Sequence, residues 1–150
     1  MNVPIVYDKA KYHFETANPE TKEPYVHTGM FLGWVMDHNL FSEFFGEESK
    51  SAIEDFKKRK VTGVDVYMEW DGALVDDMLN EEGNAFAQHY FHFDKGKFAS
   101  DYAKLFNAGD PNFFKVTDTW DNYEKLKKVI DKRYDEWKSK KDKKSWEFWK

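Results

Sequence analysis

Apolar positions are densest between residues 28 and 45, where Thr28 precedes GMFLGWVMDHNLFSEFF. Spacing by three and four places Phe31, Trp34, Val35, His38, Phe41 and Phe45 on one helical face and Leu32, Met36, Leu40 and Phe44 on another. A helix apolar on so much of its circumference is packed on more than one side, so the pattern predicts a central helix with Thr28 as its cap. Gly29 and Gly33 are four apart and share a face on which a neighbouring segment approaches closely.

Residues 47 to 60 have acids at the start and bases at the end, as the helix dipole favours, with Ile53 and Phe56 as the strong anchors of a shallow surface helix. Residues 61 to 70, VTGVDVYMEW, alternate Val64, Val66 and Met68 with Asp65, Tyr67 and Glu69 and read as a strand. One short strand makes no sheet alone, so an extended connector is the other reading. Residues 73 to 80 read as a short helix after the turn at Asp71 and Gly72.

LNEEGNAFAQHYFHF, residues 79 to 93, predicts a helix capped by Asn80 with Glu81 and Glu82 in its first turn; Glu82, Phe86, His89, Tyr90 and Phe93 project along one face. A further helix spans 97 to 106 through Phe98, Tyr102, Leu105 and Phe106, and a loop follows at 107 to 112. Asp118 then caps a long helix whose stripe is Tyr123, Leu126, Val129 or Ile130, Tyr134 and Trp137. TANPETKEPY, residues 16 to 25, is an exposed loop.

The predicted architecture is mainly α, one compact domain over residues 1 to 138 with five or six helices around the 28 to 45 helix and at most a small extended or β element near 61 to 70. Residues 139 to 150 form a lysine-rich tail ending in Trp146, Phe148 and Trp149, either solvated or docked through its rings.

Composition changes this picture in one respect: aromatic residues make up 19% of the 150, so the core is built largely from rings. With no cysteine, disulfides, thiol nucleophiles and Cys-type metal sites are excluded. The N-terminus lacks the pattern of a secretory signal and no apolar run reaches membrane-spanning length, so a cytoplasmic protein is expected. The net charge of −5 is uneven, with +5 over residues 122 to 150 and −10 over the remainder. An acidic body argues against nucleic acid or a membrane as partner and favours a basic protein.

Candidate chemistry is sparse. Neither GxGxxG, GxxxxGK[ST] nor Gly-x-Ser-x-Gly occurs. The paired carboxylates Asp76/Asp77 and Glu81/Glu82 are adjacent and point about 100° apart on a helix, unlike an opposed glycosidase pair. His13, His27 and His38 read as satisfied core residues. The enzymatic alternative is a metal site from Glu82, His89 and His92, although no zinc signature is present. The main reading therefore assigns no catalytic residue, metal or cofactor.

Three blocks, HTGMFLGWVMDHNL, LNEEGNAFAQHYF and VTDTWDNYEKLKKVIDKRYDEW, resemble a family of small bacterial proteins known as a domain of unknown function, over roughly residues 7 to 137. The resemblance implies an immunity protein that neutralises a toxin. It carries over no site residues. The density of acids in a loop-like setting instead nominates Asp65, Glu69, Asp71, Asp76, Asp77, Glu81 and Glu82 as partner contacts, with Tyr67 and Trp70 as ring anchors. A structural or regulatory interaction module without a toxin partner is the third reading.

Overall fold

A computed structural model of the chain describes residues 4 to 148, with side-chain surroundings up to residue 141. Seven α-helices and one two-stranded antiparallel sheet make up the described part: β1 Val6–Lys9, α1 Val26–Asp37, α2 Glu43–Glu48, α3 Lys50–Lys57, α4 Gly63–Glu69, β2 Ala73–Val75, α5 Glu81–Tyr90, α6 Phe98–Leu105 and α7 Trp120–Phe148. Short 3₁₀ turns cover Ala10–His13, Glu23–Tyr25, Asp76–Met78 and Phe113–Lys115.

The mainly α class and the central helix agree with the sequence, but several boundaries move. α1 is buried along Val26 to Met36 and ends at Asp37; Asn39 takes φ 53°, a conformation Asn tolerates after a helix, and the chain turns before Ser42 caps α2 through the Phe45 amide at 3.0 Å. The single helix expected over 28 to 45 is thus two. Thr28 is not its cap: it is fully buried inside α1, and its hydroxyl donates to Asp8.

The expected strand at 61 to 70 is helix α4. Thr62 accepts from the Asp65 amide at 3.1 Å while Asp65 accepts from the Thr62 amide at 2.9 Å, a reciprocal cap that starts a helix despite the alternating valines. The crossing of α1 and α4 is fixed by small residues. A Cβ on Gly29 would sit 2.5 Å from the Cα of Val64, and one on Gly63 would collide with Gly29 and Gly33, so the two backbones meet where no side chain fits. The close approach expected for the Gly29/Gly33 face is realised here.

The extended element lies elsewhere than residues 61 to 70. β1 pairs with β2 in the register Val6↔Val75, Asp8↔Leu74 and Lys9↔Ala73, with a bulge between Val6 and Asp8. The expected helix over 73 to 80 is accordingly a strand and a 3₁₀ turn.

α5 begins as expected, with Asn80 accepting from the Gly83 amide at 2.8 Å, but it ends at Tyr90. Phe93 consequently leaves the projected face and is 79% exposed. α7 is capped by Thr119, which accepts from the Asn122 amide at 3.1 Å, and not by Asp118, whose carboxylate accepts from Thr62 and Lys22.

Rings fill the space between α1, α5 and α7. Phe31 stacks on Phe91 at 4.5 Å, Phe86 on Tyr90 at 5.2 Å, and Trp34 on His38 at 4.2 Å. The Trp34 indole donates to Asp131 at 2.9 Å, tying α1 to α7 with a satisfied polar edge. His38 is the satisfied residue expected, with Nδ1 near the Trp34 carbonyl and Nε2 2.9 Å from Asp131. Arg59 lies over Trp120 at 4.5 Å and pairs with Asp37, closing the end of α3 onto α7. α7 continues through residue 139 to Phe148, and the tail rings Trp146, Phe148 and Trp149 lie outside the described side chains.

Candidate functional site

Two places concentrate chemistry: an acidic face built around α2 and the end of α4, and a buried Asp–His–His cluster beneath β1.

The acidic face follows from the break after α1. Ser42 donates to the Asp77 carbonyl at 2.6 Å and its amide reaches the Met78 carbonyl, which seats α2 beside the 76 to 78 turn. α2 then presents Phe44, 47% exposed, edge-on to Trp70 at 5.8 Å. Trp70 is half-buried, stacked on Phe45 at 5.1 Å, and its indole donates to the buried Ser49 hydroxyl at 2.8 Å. Phe44, Glu48, Ser49, Glu69 and Trp70 line a shallow concavity of about 460 Å³. Among the described residues, Glu43, Glu47, Glu48, Glu69, Asp71 and Asp77 form no ion pair, so this edge carries uncompensated negative charge around exposed aromatic surface.

Of the nominated contacts, Glu69 lines this concavity, Asp71 and Asp77 are exposed beside it and Trp70 is half-buried in it, whereas Glu81 lies with Glu82, Ala85 and Lys141 on the α5–α7 side. Tyr67 is not a surface anchor: it is fully buried, because α4 turns it inward where a strand would have turned it out. Burial, together with the Asp8 carboxylate, raises its phenol well above the ordinary range. Asp65 is committed to the α4 cap and to Lys22 at 2.8 Å. Asp76 is half-buried, with its backbone tied to Ile5 and Asn84, and Glu82 accepts from Tyr134 and lies 3.6 Å from Lys138. Sequence reasoning leaves out Phe44, Glu43, Glu47 and Glu48, the first because one long helix absorbs it. The signal for the break is Asn39 followed by the capping Ser42.

Glu82, His89 and His92 do not gather. Helix α5 ends before His92, which stacks on Phe93 and accepts from the Asp94 amide, while exposed His89 lies along Trp137 at the wall of a basic cleft of about 300 Å³ with Lys95, Lys97 and Arg133.

The buried cluster has no counterpart in the sequence pattern. Its three residues come from separate segments and meet only because β1 and the following 3₁₀ turn pack on the first turn of α1. Asp8, 8% exposed, accepts from His13 Nε2 at 2.8 Å through Oδ1, and from His27 Nε2 at 3.2 Å and Thr28 Oγ1 at 2.6 Å through Oδ2. Burial alone would raise its pKa, but the hydrogen bonds from His13, His27 and Thr28 outweigh that and hold the carboxyl far below the usual range. Phe113 and Phe114 close over His27 with centroids at 5.2 and 5.5 Å. His27 Nδ1 and the Tyr67 hydroxyl are buried without a hydrogen-bond partner.

Fold and sites together define a small helical domain with an acidic aromatic face. The chain belongs to the family described as a domain of unknown function, DUF7832, whose model matches residues 6–116. No curated protein and no solved structure matches it. Both candidate sites fall within the matched span, whereas α7 lies beyond it. Among the described residues no helix is long and apolar enough to cross a membrane.

Proposed function

We propose that the protein is a binding protein that occludes a basic protein partner, and that this partner is a toxin which it neutralises in the cytoplasm as an immunity protein. The observation that supports the reading is the set of carboxylates without an ion pair among the described residues, Glu48 and Glu69 lining the concavity and Glu43, Glu47 and Asp71 on the same elements, beside the exposed Phe44 and the half-buried Trp70. An anchored aromatic in a shallow concavity supplies binding energy once desolvated, and surrounding charge accelerates the encounter with a cationic surface and excludes acidic competitors. The contact set is therefore Glu43, Phe44, Glu47, Glu48, Glu69, Trp70 and Asp71, with Asp77 extending it beside the start of α2.

The test is co-expression with the product of the adjoining gene. Binding of that product and survival of cells that carry it support the reading; absence of both removes it. Genomic position is the cheaper observation, since an immunity gene lies directly beside its toxin gene.

A further inference from the structure

We propose that Asp8, His13 and His27 form a binding site for one divalent transition cation of the zinc class, which would pin residues 6 to 13 to the start of α1. Each offers a ligand atom, and these atoms all lie within 4.8 Å of one another, the sole such triad of His, Asp or Glu among the described residues. Two ligands each about 2.1 Å from a tetrahedral zinc ion lie roughly 3.4 Å apart; His13 and His27 stand 2.8 and 3.2 Å from opposite oxygens of Asp8, so the rings must shift for one carboxylate oxygen and both nitrogens to face a single ion.

Two further features favour a metal over a plain ion-pair staple. Thr28 donates to Asp8 from inside α1, which fixes the carboxylate as an outer-shell hydrogen bond does in metal sites. His27, 7% exposed, has no protein partner at Nδ1 among the described residues, so an N–H placed there must be satisfied by water. In a ligating ring the Nε2 lone pair binds the ion, the proton moves to Nδ1, and Asp8 stays a carboxylate. The rings of Phe113, Phe114 and Tyr102 around His27 lower the local dielectric, which strengthens the attraction between a dication and the buried anion.

Donor type sets the class of ion. Two imidazoles and one carboxylate suit zinc, cobalt or nickel, whereas calcium and magnesium require six or more oxygens, including water. Three protein ligands leave a tetrahedral ion one position for water.

The test is titration of the untagged, chelator-treated full chain with zinc by calorimetry and with cobalt by visible absorption. Expected are one ion per chain, the intense visible bands of four-coordinate cobalt and a raised melting temperature. His13→Ala, at a partly exposed position outside the core, should abolish the cobalt bands, and Thr28→Val should weaken zinc by about 10- to 100-fold. His89→Ala with His92→Ala should change neither. No binding overturns the proposal, and so does binding that survives His13→Ala or disappears with His89 and His92.

Discussion

The ring of Phe44 stands edge-on to that of Trp70 at 80°, and the two differ in how they are held: Phe44 projects from α2, while Trp70 is tied to Ser49 through its indole. Exposure and anchoring are thereby divided between neighbours. Phe44→Ala should change unfolding free energy by no more than about 0.5 kcal/mol, because the side chain is nearly half-exposed. Trp70→Ala removes the stack on Phe45 and leaves a buried hydroxyl without its donor, so it should cost about 3 kcal/mol in urea unfolding. If Phe44→Ala also cost several kcal/mol, the ring would be part of the core and not of a binding face.

The α1–α4 crossing gives a sharper stability test. Gly63→Ala forces a methyl group into the backbone of Gly29 and Gly33 and should destabilise by about 2 kcal/mol or more, even though Ala is the better helix former. A methyl group on Gly109 would meet nothing within 4 Å, and Gly109→Ala should lie within about 0.5 kcal/mol of the parent. Equal effects of the two substitutions on the urea midpoint would contradict the described crossing.

Tyr67 provides a contrast. Its hydroxyl is buried without a partner, so Tyr67→Phe removes an unsatisfied group and should be neutral or stabilising by up to about 1 kcal/mol in the same assay. Partner affinity should not change, since the ring does not reach the surface.

Acid stability should depend on Asp101. Arg133 grips its carboxylate at 2.9 and 3.0 Å and Tyr90 donates to it at 2.7 Å. Burial pushes its pKa up, but these partners prevail and hold it below the ordinary value. A carboxyl depressed in the folded state stabilises fully above its unfolded pKa of about 3.9 and loses that contribution as pH falls through the lower folded value. Asp101→Asn should therefore be less stable than the parent at pH 7, and the gap should narrow below about pH 4. A gap that stays constant across that range would show that the ion pair is not the source.

Much of the helical frame was legible because it is local. Asn80 and the acids after it mark α5, and the stripe from Tyr123 to Trp137 marks α7. The signals that point away from the fold are also local: alternating valines mask the Thr62–Asp65 cap, and long apolar continuity hides the turn at Asn39. The candidate sites were less legible. Acids on the exposed face could be named from density, but Asp65 and Glu82 turn to partners within the chain and Tyr67 turns into the core, which only tertiary packing reveals. Asp8, His13 and His27 converge through β1 folding onto α1, a relation no spacing rule contains.

Recognition of a partner rests on the acidic face, and the most direct measurement is the affinity of the purified chain for the product of its adjoining gene, compared with that of Phe44→Ala and of Glu48→Lys combined with Glu69→Lys. The prediction is tight binding whose association rate falls as salt rises, a loss of affinity of about tenfold or more for Phe44→Ala, and a slower association for the charge reversals at unchanged folding stability. Binding that is indifferent to all three substitutions and to salt would contradict this role of the face.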